Sequence, residues 1–460
     1  MVFSSLVFLC VFLPVTYVAY VLTPSLAARN ALLIIASLLF YAYGEPTFLP
    51  IMVGSVFVNW LLGRRIGRAD GTARKVWLTL AVVANLVFLG VFKYADMAVE
   101  TFDALTGAQV TPPHLLLPMG ISFFTFQALS YVIDVYRGGV QGDDPFHKVL
   151  LYISFFPQII AGPIVKYHDI ERQIDERHLS AEEAALGMRC FCLGLAKKVL
   201  IANAMGSVAD ALYALDVTAI NAPTAWLAAI SYLMQIYFDF SAYSDMAIGL
   251  GHLFGFTILE NFNHPYASVT IKEFWRCWHI SLSTWFKEYL YIPLGGNRKG
   301  VVRTCLNKVI VFFLCGLWHG ANWTFVVWGL IQGGFSLLEE VVPLRKLPRA
   351  LGHIYTLLVT TLAFVFFRSD TVGMGATMIA RMFVGWDLSR AAMSACVAQL
   401  TPAFLVAFAA AVVCCVPPRK PKRSSMPLRY LSFAASVVLL VLCVLELSGG
   451  TYNPFIYFRF

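Results

Sequence analysis

The chain has 460 residues, 59% of them hydrophobic and 13% charged, with a formal net charge of +8 and a mean hydropathy of +0.72. Soluble domains carry about 25% charged residues, so this composition excludes a soluble enzyme or a nucleic-acid-binding module. It predicts an all-α polytopic integral membrane protein. The ten cysteines lie mostly in apolar runs, where cysteine packs as a small hydrophobe, and no CxxC pair with histidines at ligand spacing occurs. Neither a disulfide framework nor a metal site is expected.

A spanning helix needs about 20 mostly apolar residues. Against that length, candidate spans fall near 2–22, 31–43, 48–62, 76–92, 115–135, 184–204, 223–240, 305–338, 353–367, 402–416 and 428–447. Roughly ten to twelve crossings follow. The first run lacks a basic leader, its first positive residue being Arg29, and reads as a retained helix. Basic clusters at 63–75, 297–308, 345–349 and 419–429 mark cytoplasmic loops, whereas 94–114, with Asp96, Glu100 and Asp103 and no Lys or Arg, falls outside. The stretches 146–164 and 273–294 are broken by proline or charge and read as re-entrant or interfacial pieces.

Polar groups inside membrane helices are costly and tend to be functional, and four stretches carry them. In FFPQIIAGPI, residues 155–164, Pro157, Gly162 and Pro163 interrupt a helix around Gln158; broken backbone at membrane depth usually lines a cavity. In YFDFSAYSDMAIG, residues 237–249, Asp239 and Tyr243 share a helix face with Gln235, and Asp245 follows. That stripe either lines a cavity or forms an interhelical hydrogen-bond network. In EFWRCWHISLSTWFKEYLYIPLGGNRKG, residues 273–300, Phe274, Trp278, Leu282 and Trp285 recur at helical spacing with Arg276 and Lys287 alongside. This predicts an amphipathic interfacial helix ending in a basic turn, Asn297-Arg298-Lys299. The turn either holds the phosphates of a soluble donor or simply anchors the chain at the membrane. Finally, GLWHGANW, residues 316–323, places His319, with Trp318, Gly320, Asn322 and Trp323, in a run free of Asp, Glu, Lys and Arg. A lone buried histidine is usually structural. Here both His279 and His319 follow a tryptophan in aromatic surroundings, and an imidazole of pKa near 6.5 suits general-base work or brief acyl acceptance.

Together, FWRCWHISLSTWFKEYLYIPLGGNRKG, GLWHGANWTFVVWG, YFDFSAYSDMAIGLG and FPQIIAGPI resemble the membrane-bound O-acyltransferase family. They are most similar to its bacterial alginate, peptidoglycan and cellulose O-acetylation branch, and the opening MVFSSLVFLCVFLP and closing NPFIYFRF extend the likeness almost end to end. The resemblance implies a ring of tilted helices around a funnel or tunnel, with His319 at its narrow part and His279 in support. It also implies channel roles for Trp318, Asn322, Trp278, Gln158, Asp239, Tyr243 and Asp245. Donor contacts are implied for Arg276, Lys287, Asn297, Arg298 and Lys299. No bound cofactor is implied; acetyl-coenzyme A would be the acyl donor at the bacterial inner membrane. An SGNH-hydrolase-like extracytoplasmic protein would be the partner that acetylates a polysaccharide. The terminal FIYFRF resembles motifs proposed to carry the acyl group on tyrosine, here Tyr457, unless the motif is only an interfacial aromatic anchor. Two residues depart from the branch: Cys277 stands where a second arginine is common, and Lys287-Glu288 where Arg-Asp is common.

The expected organisation is one membrane domain: N-terminal helices 1–135, a catalytic core 136–340, C-terminal helices 341–447 and an extracytoplasmic tail 448–460. Other readings are D-alanyl transfer to teichoic acid, a secondary transporter, or a non-catalytic export subunit. The chain has no inverted-repeat pattern of the kind many transporters carry, and it carries the tyrosine motif that the D-alanyl system is expected to hold on a separate small protein.

Overall fold

In the computed structural model, which describes residues 1–344, 347–418, 426–450 and 452–456, the chain is helical throughout its regular elements. The helices are α1 (Leu13–Leu22), α2 (Leu26–Gly44), α3 (Leu49–Arg68), α4 (Gly71–Thr106), α5 (Ile121–Arg137), α6 (Phe146–Ser154) and α7 (Tyr167–Asp175). Then come α8 (Ala181–Ala196), α9 (Asn203–Tyr213), α10 (Ala222–Leu253), α11 (Ile271–Cys277), α12 (Ile280–Phe286), α13 (Val301–His319) and α14 (Trp323–Val341). Last are α15 (Arg349–Arg368), α16 (Val372–Phe383), α17 (Arg390–Gln399), α18 (Pro402–Cys415) and α19 (Met426–Ser448). By length and apolarity alone, α2, α4, α13, α15 and residues Arg429–Ser448 of α19 can each cross a membrane. The pair α17 and α18, bent by 68°, makes a sixth crossing if taken as one. The chain is a multi-pass membrane protein.

The helices sort into two compact units: Met1–Phe191 with Ser244–Leu259, and Cys192–Tyr243 with Glu260–Phe460. In the first unit, α4 continues past the expected span to Thr106, where Gly107 closes it with a left-handed turn (φ 71°). The acidic residues of the expected outer stretch then accept loop amides: Asp103 from Val110, and Asp96 from His114 at 2.9 Å. Asn59 of α3 and Asn85 of α4 exchange side-chain hydrogen bonds in a buried pair, which satisfies both amides away from water. The broken stretch after α6 is buried throughout. There Gln158 donates to the carbonyl of Tyr152, and Phe156 packs against Phe8, Phe12 and Phe40. Irregular backbone is tolerated at this depth because protein surrounds it. Gln158 and Asp245 both belong to this unit; the Asp245 carbonyl accepts from the Cys190 thiol at 3.3 Å.

Two sequence expectations change in the second unit. The single run 305–338 is a helical hairpin, α13 and α14, interrupted at Gly320–Asn322. Glycines let its arms approach closely: a Cβ on Gly316 would lie 2.5 Å from the Phe325 carbonyl oxygen. The continuous amphipathic helix expected after 273 is two short helices, α11 and α12, separated at Trp278–His279. Its aromatic stripe, Phe274, Trp278, Leu282 and Trp285, is buried in protein instead of lying against lipid. Aromatic partners from elsewhere in the unit outcompete the interface for this face: Trp278 packs on Tyr237 of α10, Phe262 of the loop that follows and Phe364 of α15.

Candidate active site

The hairpin break explains GLWHGANW. His319 is the last residue of α13, and Gly320 leaves the helix in an extended conformation (φ −163°). A side chain at Gly320 would overlap the Phe325 ring, so glycine is required there by space. Asn322 then starts α14: its Oδ1 accepts from the Thr324 amide at 3.0 Å, and its Nδ2 donates to the Asp370 carbonyl at 2.9 Å. The imidazole is thereby fixed at a helix end whose neighbours on both sides are constrained.

Around the His319 ring stand Trp318 (5.0 Å between ring centroids), Trp328 (5.0 Å) and Phe367 (5.2 Å), each meeting it edge-on. His279 lies 6.4 Å away. A small cavity of about 10 Å³, the room needed by one water-sized group, touches His319, Trp278, Trp328, Phe240, Phe364 and Phe367. On the other side of Phe367 opens a vestibule of about 770 Å³, whose wall includes Asp210, Gly320, Asn322, Arg368 and Ile456. Phe367 lines both spaces, so its ring forms a wall between the polar vestibule and the apolar surroundings of His319.

His279 is held differently. It adopts a left-handed backbone conformation (φ 43°, ψ 57°) while completely buried. For a residue with a Cβ this costs roughly 1–2 kcal/mol, and such strain persists only where the surroundings enforce it. Asn261 supplies the enforcement. Its carbonyl accepts from Ile280 N (2.9 Å), and its Oδ1 accepts from Ser281 N (3.0 Å), Ser281 Oγ (2.9 Å) and His279 Nδ1 (3.2 Å). Asn263 N adds a bond to the Cys277 carbonyl at 2.9 Å. An amide oxygen only accepts, so the proton of a neutral His279 sits on Nδ1. Nε2 is then a buried acceptor with no hydrogen-bond partner among the described residues.

The C-terminal segment enters this unit as well. Tyr452 donates to Asp210, which also pairs with Arg368 at 2.9 Å. Asn453 accepts from Asn203 at 3.2 Å, the Pro454 carbonyl accepts from Lys198, and Phe455 packs on Tyr243 at 5.0 Å. The Ile456 amide donates to Asp239 Oδ2 at 2.8 Å, and Asp239 Oδ1 pairs with Lys198 Nζ at 2.7 Å. Tyr457 itself lies outside the described residues.

Arg276 and Lys287 are exposed on either side of the α11–α12 break, and Asn297, Arg298 and Lys299 are exposed on the turn before α13. Asn307 secures that turn by donating to the Gly296 carbonyl at 2.9 Å. Glu340, near the end of α14, pairs with both Lys272 (2.9 Å) and Lys308, tying the starts of α11 and α13 to the same end of the hairpin.

Thus the structure groups His319, His279, Trp318, Trp278, Asn322, Asp239 and Tyr243 within one unit. Asn261, Lys198, Asp210, Arg368, Phe367 and Trp328 were not singled out from sequence. Two of them had a visible signal: Lys198 interrupts an apolar run, and Arg368 ends one. Asn261 had none beyond its position ahead of a proline turn.

Comparison with known proteins identifies the family. Residues 141–367 match the membrane-bound O-acyltransferase family. The chain is 39% identical to a probable alginate O-acetylase of Azotobacter vinelandii over the full length of both. It is 37% identical to the peptidoglycan O-acetyltransferase of Helicobacter pylori, covering 81% of this chain and 78% of that one. A teichoic acid D-alanyltransferase of Bacillus subtilis is 30% identical over 48% of this chain and 58% of its own length.

Proposed function

Because the chain belongs to the membrane-bound O-acyltransferase family and is an acyltransferase, we propose that it takes acetyl from cytoplasmic acetyl-coenzyme A. The acetyl group passes through the His319 site, with Tyr457 as carrier, to an extracytoplasmic SGNH-hydrolase-like partner that O-acetylates a polysaccharide of the alginate or peptidoglycan type. The observation that carries this reading is the placement of Ile456 in the wall of the vestibule beside His319, one residue before Tyr457 in sequence.

Orientation follows from charge. Helices α13 and α15 both begin in basic segments, 297–308 and 345–349, and both end at the vestibule, α13 just before Gly320 and α15 in Arg368. The positive-inside rule puts those beginnings in the cytoplasm of a bacterial inner membrane and the vestibule on the outer side. The exposed basic turn at Asn297, Arg298 and Lys299, with Arg276 and Lys287, supplies cations for the phosphates of the donor.

The chemistry is acyl transfer. The acceptor hydroxyl loses its proton to an imidazole nitrogen of His319 as its oxygen attacks the thioester carbonyl. The tetrahedral intermediate collapses by breaking the carbon–sulfur bond, and the proton leaves with the coenzyme A thiol. His279, with Nδ1 held by Asn261, supports the site as a hydrogen-bond acceptor at Nε2. The aromatic surroundings limit water, which favours transfer over thioester hydrolysis. A second transfer of the same kind moves acetyl from the Tyr457 oxygen to a partner hydroxyl.

The test uses purified chain with acetyl-labelled acetyl-coenzyme A, comparing wild type, His319→Ala and Tyr457→Phe. Label on wild type that is lost with either substitution supports the relay. Label that survives Tyr457→Phe moves the carrier elsewhere. No thioester turnover and no label, even with the partner present, would overturn acetyl transfer.

A further inference from the structure

The interaction of Lys198, Asp239 and the C-terminal segment points to more than a helix-to-helix strut. We infer that the Lys198–Asp239 ion pair is the seat that receives the main chain of the C-terminal segment and sets its register against the His319 site. The functional consequence of this seat rests on the relay proposed above; the seat itself does not.

The argument begins with the cost of the pair. Lys198 and Asp239 are both buried, with Nζ 2.7 Å from Oδ1. Taking two such charges out of water costs several kcal/mol per ion, recovered only when the remaining lone pairs and protons find partners. One oxygen of Asp239 is used by Lys198. The other takes the Ile456 amide at 2.8 Å, and the Lys198 ammonium also donates to the Pro454 carbonyl. Remove the segment, and a carboxylate oxygen and an ammonium proton lose their main-chain partners in a buried setting. The pair is therefore completed by the tail, and by its backbone rather than its side chains.

Register follows from the spacing. The seat takes the carbonyl of residue 454 and the amide of residue 456 together, while the ring of intervening Phe455 packs on Tyr243. Two flanking contacts, Tyr452 to Asp210 and Asn203 to Asn453, align the approach. A one-residue slip would bring the Phe455 carbonyl to Lys198 or the Phe455 amide to Asp239 and turn the Phe455 ring away from Tyr243. The seat thus fixes the register of the chain through residue 456. An aromatic anchor lying in the membrane interface needs none of these main-chain contacts.

The experiment is hydrogen exchange read by mass spectrometry on the full chain in lipid nanodiscs, following peptides that contain residues 452–456. The double variant Lys198→Met/Asp239→Leu removes both charges and leaves no unpaired ion; replacing a buried pair with apolar residues is often neutral for stability. We expect exchange of 452–456 to speed at least tenfold, with exchange in α13 and α14 unchanged. Ile456→Pro, which removes the donating amide and leaves Lys198 and Asp239 in place, is expected to speed exchange at 452–455 in the same way. Should the double variant lose its fold, Ile456→Pro decides alone. Unchanged exchange in the tail of a folded variant would overturn the seat. Faster exchange with normal acetyl labelling would keep the seat and remove the relay through the tail. An alanine inserted between Ile456 and Tyr457 is expected to abolish labelling while leaving exchange at 452–456 as in wild type.

Discussion

Asn261 Oδ1 stands 3.2 Å from His279 Nδ1 and also accepts from the amide and the hydroxyl of Ser281. One amide oxygen therefore fixes the tautomer of a buried histidine and closes the turn that holds that histidine in a left-handed conformation. The His279 ring in turn packs edge-on against both Phe240 at 4.6 Å and Trp318 at 6.0 Å, so its orientation is transmitted to the residue preceding His319.

Asn261→Ala should consequently impair acetyl transfer while leaving both histidines in the chain. Leaving buried donors unsatisfied costs about 1–3 kcal/mol, which corresponds to a loss of roughly fivefold to a hundredfold if it falls on the transition state. Asn261→Asp keeps an acceptor oxygen at the same place and should retain more activity than the alanine variant. The check is initial rates of thioester turnover for both variants; equal loss in both would contradict the acceptor role.

Phe367 separates the vestibule from the cavity at His319. Phe367→Ala should admit water to the site. Thioester hydrolysis in the absence of acceptor is expected to rise severalfold while productive transfer falls. The same truncation should cost about 3–5 kcal/mol of stability, so the ratio of hydrolysis to transfer is the quantity to measure, with Phe367→Leu as the milder comparison. An unchanged ratio would remove the wall from the mechanism.

The exposed basic turn should act on donor binding. Arg298→Ala and Lys299→Ala are each expected to raise the KM for acetyl-coenzyme A about 1.4-fold to fivefold, the range for contributions of about 0.2–1 kcal/mol from exposed charges, while kcat changes less. The effect should shrink as salt is raised through 0.15 M, where the screening length is about 8 Å. Kinetics at two ionic strengths decide the matter, and a KM insensitive to both substitutions would assign the turn to membrane anchoring alone.

Much of this was legible in the chain itself. Apolar runs of spanning length, basic loops and four ordered motifs determined a helical membrane protein of the O-acyltransferase family and marked His279 and His319, because hydropathy and motif spacing are local properties that survive any packing. Tertiary structure decided the rest. The helix expected after 273 breaks at His279 because Asn261, 18 residues earlier, offers its turn more hydrogen bonds than a continuous helix would. The polar stripe at 237–245 is divided: Asp239 takes a lysine and a backbone amide 217 residues downstream, whereas Asp245 belongs to the other unit. Phe367 is one more apolar residue in an apolar run until α15 is packed beside α13 and α14. Partners this distant in sequence leave no periodicity behind them, so the burial of Asp239, its charge and its last free oxygen acquire a meaning only when the folded chain brings Lys198 and Ile456 to it.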